Sequence, residues 1–427
     1  MIEARAAARE KFSPFEYRDP VPAPWLVHAL GALNRFAILP GLLRITRFDL
    51  PAADARRLQA AVNRDTAAFL GPNHPEFLSD WLVDKELSRR VSPLMAHWAS
   101  YEIVNASPSA RAFWLANNLV ANAPGGGGKA YSVAWALRGH GVLLHPEGTA
   151  TWQGERVGSL LPGLVDMAWD AASRVRAAGE TRPVWLVPIA WRFAFRRDAR
   201  RGLARDMARL ERGLALPRGD RLQVPERFAA LMRALLARQC ERLGLASPDE
   251  RDGYFAAQAR VIDVLRRALA ERYGELDADF TRATFQLRRA MREAATADPD
   301  GVRRDRARLA ELQRLAGFDA ALYDRAELAP ERVNEVLKRM RSSLLTRGLA
   351  NAIHNTVPIA PGPRAVHVRV AEPIAVEPEG EGADPEASRV ALLAEHRARL
   401  QAALDQLGDE LAASGASWRL PNLLHRS

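Results

Sequence analysis

Ala67-Ala-Phe-Leu-Gly-Pro-Asn-His-Pro-Glu-Phe-Leu-Ser-Asp80 leads from an apolar run through a turn into a helix start. The first four residues have the length and apolarity of a buried strand, and Gly-Pro-Asn is turn chemistry. Steric conflict with the ring of Pro75 keeps His74 out of the α region, while Pro75 itself suits the first turn of a helix. We therefore expect a strand, a turn that carries His74, and a helix from Pro75 to about Arg90.

The spacing of His74 and Asp80 matters for chemistry. On one continuous helix these positions lie about 120° apart around the axis and do not meet. With His74 in the loop ahead of the helix, its ring can fold back over the first turns towards Asp80. A carboxylate bonded to one ring nitrogen fixes the tautomer and leaves the other nitrogen as a base. On this segment alone, a helix cap with an exposed histidine and an unrelated acid remains an equal alternative.

A second informative stretch is Leu143-Leu-His-Pro-Glu-Gly-Thr149. It ends a predicted buried strand over Gly141–Leu144 and places Glu147 in the turn that follows. Ligands collect at the carboxyl ends of strands in α/β sheets, so Glu147 is a candidate site residue. The alternative is an ordinary turn with a solvated glutamate.

Strands that alternate with helices predict an α/β protein with a mixed sheet flanked by helices. Pro183–Trp191 is a further apolar strand, and Val366, Val368 and Val370 alternate with polar residues. Arg-, Ala- and Leu-rich amphipathic helices fill the chain between them. We predict a helical N-terminal segment over 1–50, an α/β domain over 51–196 plus 357–415, and a large all-helical insertion over 197–356. An acidic linker, Glu377–Pro385, precedes the last helix.

Charge and cysteine usage limit the class of partner. The chain of 427 residues has 61 Lys and Arg against 51 Asp and Glu, a net charge of +10. This excess favours phosphate esters, nucleic acid or an acidic membrane surface. Arg-rich helix faces without a reader motif make nucleic acid the least favoured of the three. The single cysteine, Cys240, excludes an internal disulfide and fits a reducing compartment.

The apolar segment Pro24–Ile45 is interrupted by Asn34, Arg35 and Pro40. A membrane-spanning helix needs about 20 nearly uncharged residues, so we expect two short pieces. They lie either in a membrane interface or against the core. Met1–Tyr17 has no apolar stretch of the kind found in secretory signals.

Together, the two motifs resemble those of the glycerolipid acyltransferase family related to bacterial 1-acyl-glycerol-3-phosphate acyltransferases. Asn73-His74 followed by Asp80 is similar to the first block of the family, with five intervening residues instead of the usual four. Pro146–Thr149 is similar to its Pro-Glu-Gly-Thr block and Val187–Ile189 to its last block. The order and separations agree, and the resemblance extends over about 65–196.

The resemblance implies transfer of a fatty acyl group from acyl-CoA or acyl carrier protein to a hydroxyl of a (phospho)glycerolipid or a related acceptor. His74 would act as general base and Asp80 would orient its ring. Asn73, Glu147, Gly148 and Thr149 would contribute to substrate binding. The resemblance also implies a cytoplasmic enzyme, peripheral on the inner face of an anionic membrane, without cofactor.

The chain departs from the family in its arginines. The family usually has one in its second block and often one directly after Pro-Glu-Gly-Thr; here Ala150 follows Thr149. Lys129, Arg138 and Arg156 remain as candidate cations, and Lys129 is our candidate for substrate binding. The identity of the acceptor therefore stays open, and a catalytically silent lipid- or partner-binding protein on the same fold is the alternative.

Nucleotide and metal motifs are weak. Gly125–Lys129 lacks the first glycine and the Ser/Thr of a phosphate-binding loop. His140 and His145 lack the spacing of a zinc helix, and we predict no metal site. We expect His97, His354 and His396 to be packing or surface residues. Most of the tryptophans are expected in the core, some at an acyl pocket.

Overall fold

The computed structural model describes residues 13, 15–76, 78–123, 125–246, 253–357, 359–378, 384–414 and 418–425, without the side chains of 350, 352, 355 and 356. The predicted linker Glu377–Pro385 lies mostly outside this range. The strands of the described residues are, in chain order, β1 (Ile45–Asp49), β2 (Ala67–Pro72), β3 (Ala96–Ser100), β4 (Leu119–Asn122), β5 (Val142–Leu143), β6 (Val184–Phe195), β7 (Glu327–Leu328), β8 (Arg364–Val370), β9 (Ile374–Ala375) and β10 (Leu420–Pro421).

Helices connect and follow these strands, and a π-helix (Asn34–Leu42) continues directly from the first of them. The α-helices are α1 (Pro24–Leu33), α2 (Ala52–Ala61), α3 (Ser79–Val91), α4 (Tyr101–Val104), α5 (Pro108–Ala116), α6 (Gly128–Ala136), α7 (Gly163–Ala177), α8 (Arg200–Gly213), α9 (Val224–Arg242), α10 (Tyr254–Tyr273), α11 (Phe280–Ala294), α12 (Pro299–Ala316), α13 (Ala320–Tyr323), α14 (Pro330–Leu344), α15 (Leu349–Thr356) and α16 (Pro385–Ala413).

The main sheet is mixed and mostly parallel. Its order is β1-β8-β6-β2-β5-β3-β4, with β9 added to β6. The pairs of β6 with β8 and with β9 are antiparallel, and the other neighbours are parallel. All six residues of β2 are buried, as expected for a central strand covered on both faces. The predicted α/β fold with a mixed sheet flanked by helices is confirmed.

Two helical layers cover the sheet. On one face, α2, α3 and the π-helix pack Leu58, Leu87 and neighbouring apolar residues against β2 and β8. On the other face, α6 and α7 pack Val133 and Val165 against Phe69, and α16 packs Leu404 against β6. The sheet is therefore the middle layer, and its strand ends are the places left for a ligand.

Between β6 and β8 the chain forms α8 to α15, interrupted by the two-residue strand β7. Helices α8 to α14 share an apolar core that includes Leu203, Met232, Val261 and Val336. The core uses the helical stripes seen in the sequence. β7 pairs with β10 in a separate antiparallel ribbon.

Local differences from the sequence prediction have physical causes. The helix expected from Pro75 begins at Ser79: Leu78 has a φ of +59°, outside the right-handed helical region, and the Glu76 N–H donates to both oxygens of Asp80, at 3.1 and 3.2 Å. β1 and β3 were missed, since both carry polar residues on short strands.

The N-terminal segment differs in detail as well. α1 runs without a break into the π-helix, where Asn34 is buried and donates to the carbonyl of Leu82 at 2.8 Å. Pro40 lies inside the π-helix. No helix in the described ranges combines the length and the apolarity that a membrane span requires.

Candidate active site

A cavity of about 410 Å³ lies at the carboxyl ends of β2, β3, β4 and β5. We call it the dyad cavity. Its apolar wall is lined by Leu78, Trp81, Trp98, Ile103, Trp114 and Leu143. Its polar residues include two histidines, His74 and His145, that follow β2 and β5. The volume and the few convergent polar groups are typical of small-molecule sites.

His74 and Asp80 form a hydrogen-bonded pair in this cavity. The Nδ1 of His74 bonds Oδ2 of Asp80, which is buried in the first turn of α3. No described residue pairs with Nε2 of His74, whose side chain is 18% exposed. Because Nδ1 is held by the carboxylate, Nε2 is the ring nitrogen available to a ligand in the cavity.

His145 and Asp84 form a second pair, in which both ring nitrogens of the histidine are hydrogen-bonded. Nδ1 of His145 donates to the carbonyl of Asn73 at 3.0 Å, and Nε2 meets Oδ2 of Asp84 at 2.8 Å. Burial lowers the pKa of His145, but the charge and hydrogen bond of Asp84 outweigh burial and raise it above its ordinary value. Of the two histidines, His145 is therefore the one whose charged form the site favours.

The two imidazoles stack, with ring centroids 4.3 Å apart and planes at 19°. Burial first, and then the charge on His145, hold the pKa of His74 well below its ordinary value. The ring of His74 is thus neutral at neutral pH. Burial, and then the charges of Asp84 and Glu76, raise the pKa of Asp80 well above its ordinary value. When Asp80 is ionised, it accepts from Nδ1–H of the neutral ring and leaves the lone pair on Nε2, which is the form a general base requires.

A buried ion cluster fixes the loop that carries His74. Glu76 accepts from Arg364 of β8 at 2.7 and 2.9 Å, from Lys338 of α14 at 2.7 Å and from Ser79 at 2.6 Å. Burial raises the pKa of Glu76, but the two cations outweigh it and lower the pKa to about 2. The helical region therefore supplies a cation that positions the candidate site.

Asn73 is buried and does not line the cavity. Its side chain donates to the carbonyl of Trp191 at 3.0 Å and accepts from the N–H of Trp191 at 2.9 Å. These two hydrogen bonds to β6 fix the beginning of the loop that carries His74. The structure therefore gives Asn73 a positioning contact, where the sequence suggested substrate contact.

Glu147 is also internal. Its Oε2 accepts from the backbone N–H of His74 at 2.6 Å and its Oε1 from that of Gly158 at 2.5 Å. Burial raises its pKa to about 7, against these two hydrogen bonds, which favour the ionised form. Both oxygens of Glu147 therefore join two loops, and Glu147 is absent from the lining of the dyad cavity.

Gly148 and Thr149 do line the dyad cavity. Gly148 has a φ of +70°, and a Cβ there would come within 2.5 Å of Cδ1 of Leu161. Glycine is required in this turn for both reasons.

The candidate cations lie elsewhere. Lys129 is exposed, pairs with Asp166 at 2.8 Å and is absent from the lining of the dyad cavity. Arg138 lies over the ring of Trp135. Arg156 pairs with Asp319 and lines a neighbouring cavity. Substrate contact by Lys129 in the dyad cavity is therefore not supported by its position.

His74, Asp80 and His145 also form the cluster whose ligand atoms lie within 4.8 Å of one another. A metal ion must lie in the plane of each ligating imidazole, at about 2.0–2.1 Å from nitrogen. Nearly parallel stacked rings direct their in-plane lone pairs side by side instead of towards one point. The arrangement of these residues fits proton transfer better than metal ligation.

Sequence reasoning missed several residues of the site. Asp84, four positions beyond Asp80 on α3, is buried against His145. His97 was expected to be a packing or surface residue; it is buried, lines the cavity and bonds Ser88 at 2.8 Å. The spacing of Asp80 and Asp84 on one helical face was a usable signal for the first of these.

Fold and site together define a mixed α/β protein with paired histidines and aspartates at the carboxyl edge of its sheet. No protein-family model matches the chain, and no curated protein sequence matches it.

Proposed function

We propose that this protein is an acyltransferase that moves a fatty acyl group from acyl-CoA or acyl carrier protein to a hydroxyl of a (phospho)glycerolipid or related acceptor. The observation that carries the proposal is the pairing of His74 with Asp80 at the wall of an apolar, tryptophan-lined cavity. The motif resemblance and the free Nε2 of a neutral imidazole support the same chemistry.

In the proposed reaction, Nε2 of His74 takes the proton of the acceptor hydroxyl as its oxygen attacks the thioester carbonyl. The new C–O bond forms, the C–S bond breaks and the thiolate receives the proton from the imidazolium. Asp80 stabilises the imidazolium that forms between these steps. General-base help of this kind supplies about 10²–10⁴-fold, so placement of both substrates contributes much of the remaining rate.

The apolar wall suits an acyl chain. Burial of each methylene of the chain contributes about 0.8 kcal/mol. Trp81, Trp98 and Trp114 give the cavity large flat surfaces, and Trp81 and Trp114 contact edge to face at 5.1 Å. The dyad cavity therefore suits a substrate that is apolar except for one polar, reacting end.

The test is release of free thiol from acyl-CoA or acyl carrier protein in the presence of lipid acceptors. His74→Ala should lower the rate by about 10²–10⁴-fold because the base is lost. The matched control is His425→Ala, a histidine at the surface that pairs with Asp324. Equal activity of His74→Ala and the control would overturn the proposal.

The alternative is a catalytically silent lipid- or partner-binding protein. Binding of lipid without thiol release, across a panel of donors and acceptors, would decide for it.

We also infer that the protein is cytoplasmic and peripheral on the inner face of an anionic membrane, with 1–50 as its interfacial segment and 197–356 as an insertion into the acyltransferase domain. Trp25 and Phe36 in the N-terminal segment are 73% and 79% exposed. The segment contacts α5, the helix that carries Trp114 of the cavity wall, since the Ala23 N–H donates to the carbonyl of Ala116. Apolar side chains on a basic protein suit an anionic lipid surface.

Vesicle flotation tests this attachment. The wild type should float with vesicles that contain phosphatidylglycerol, and Trp25→Ser/Phe36→Ser should float several-fold less because the buried apolar area is lost. Leu222→Ser/Val390→Ser, which changes exposed apolar residues outside the segment, is the control. Unchanged flotation of the first variant would contradict the assignment.

A further inference from the structure

A second cavity adjoins the dyad cavity and is strongly basic. It has a volume of about 450 Å³ and lies between the loop 149–159 and the helices α11, α12, α14 and α16. Among the described residues, its lining contains Arg156, Arg288, Arg314, Arg339 and Arg397 against a single acid, Asp319. We call it the arginine cavity.

Arg339 is the unusual member of this lining. The residue is 7% exposed, and none of its three guanidinium nitrogens has a hydrogen-bond partner in the described part of the chain. Burial of a charged group is costly unless that charge is paired. Tyr323, Glu335 and Tyr254 favour its charged form electrostatically, but none of them is hydrogen-bonded to its guanidinium.

Two further features beside Arg339 favour a ligand with several hydrogen-bond acceptors. Thr284 of α11 is also 7% exposed, lines the same cavity and has an unpartnered Oγ1 among the described residues. Gly317 follows α12, and a Cβ there would lie 2.0 Å from Nη1 of Arg339. A larger residue at position 317 would displace the guanidinium from its present place.

The two cavities share a wall. Thr149 and Ala150 line both of them. Thr151 lines the arginine cavity, and its N–H donates to the carbonyl of His74 at 2.8 Å. Glu147 joins the same two places, because it binds the N–H of His74 and that of Gly158.

We propose that the arginine cavity binds the phosphate group of a substrate whose reacting end lies in the dyad cavity, with Arg339 and Thr284 as direct ligands. Guanidinium and hydroxyl donors match phosphate oxygens, and a planar guanidinium binds two of them at once. The source of the phosphate is a phosphorylated acceptor lipid or the nucleotide of the thioester donor. This inference rests on the proposed function for the role of the bound molecule.

Binding of inorganic phosphate to the full chain tests the site without turnover. Thermal unfolding is followed with increasing phosphate at constant ionic strength, with chloride as the reference anion. We expect a saturable rise of Tm with phosphate in the wild type and in His74→Ala, because a ligand that binds the folded state stabilises it.

Variants then locate the binding. Arg339→Met should weaken phosphate binding by at least tenfold and should not lower Tm in its absence, because the unpaired buried charge is gone. Thr284→Val, which keeps the side-chain shape, should weaken binding about tenfold. The control is Arg303→Met on the exposed side of α12. Phosphate binding that is absent from the wild type, equalled by chloride or retained in Arg339→Met overturns the proposal.

The source of the phosphate follows from kinetics. If the acceptor supplies it, Arg339→Met should raise KM for a lysophosphatidate at least tenfold and leave KM for a monoacylglycerol unchanged. If the donor supplies it, the same increase should appear with acyl-CoA and not with an S-acyl-N-acetylcysteamine. Phosphate binding without thiol release would refute the acyltransferase and leave the anion site standing.

Discussion

His74 with Asp80 and His145 with Asp84 are two pairs of the same residue types, in stacked contact, with opposite properties. Asp80 holds one nitrogen of His74 and leaves the other at the cavity. Asp84 and the carbonyl of Asn73 hold both nitrogens of His145. The first ring has a lowered pKa and the second a raised one. The histidine–aspartate pair is therefore not itself a functional signature; the number of free ring nitrogens decides which pair can do chemistry.

The difference also explains why the pairs occur together. A charged His145 next to His74 favours the neutral, basic form of His74 by electrostatic repulsion. The ring of His145 is thus a fixed neighbour whose protonation, favoured by Asp84, opposes protonation of His74. Breaking each pair separately should have different consequences.

The largest expected effect is that of Asp80→Asn on activity. An amide of the same size removes the carboxylate that fixes the Nδ1–H tautomer, so Nε2 no longer serves reliably as the base. We expect a loss of about 10²–10⁴-fold in kcat/KM for thiol release, with little loss of Tm. Activity within tenfold of the wild type, measured on folded protein, would refute a dyad role for Asp80.

The second-largest expected effect is a loss of stability in His145→Phe. The ring still stacks on His74, but Asp84 loses its buried partner, which costs about 3–5 kcal/mol in the free energy of unfolding. Urea denaturation measures the loss. The double variant Asp84→Asn/His145→Phe should recover part of it, because the uncompensated carboxylate is gone. A double variant as unstable as the single one would contradict this account.

The smallest effect is a displacement of the pH profile by Asp84→Asn. In the wild type, His74 must be neutral and its pKa is lowered, so activity should fall only at pH values below about 6.5, the ordinary value for histidine. Without Asp84, His145 loses the neighbouring charge and hydrogen bond that raise its pKa, so its charged form becomes less populated. The pKa of His74 then rises and the acid limb of kcat/KM moves to higher pH. A limb that stays in place or moves to lower pH would contradict the proposed coupling.

The contact of His74 with Asp80 could be predicted from the sequence, and the contact of His145 with Asp84 could not. Pro75 places His74 ahead of the helix, and a helix of known phase then brings Asp80 back under the ring; the contact is present. His145 and Asp84 lie 61 positions apart and meet only because β2 and β5 are neighbours in the sheet. Strand order depends on long-range pairing that no local pattern specifies.

Glu147 and Glu76 show the same limit of prediction from the sequence. Glu147 was visible as a carboxylate in a turn after a strand, but its direction depends on where the loop around Gly158 packs. Glu76 was visible as a residue of a helix start, whereas its partners Lys338 and Arg364 come from parts of the chain more than 250 residues away. In both cases the residue was identifiable and its contact was not.

The sequence by itself determined the α/β alternation, the apolar stripes of the helices and the loop position of His74, because apolar periodicity and proline geometry act over a few residues. Only the tertiary structure decided which histidine keeps a free nitrogen, which carboxylates turn inward and which arginines surround a cavity. Those outcomes depend on burial and on partners brought together by the sheet and the helices, and the energy of a buried charge is set by its neighbours in space.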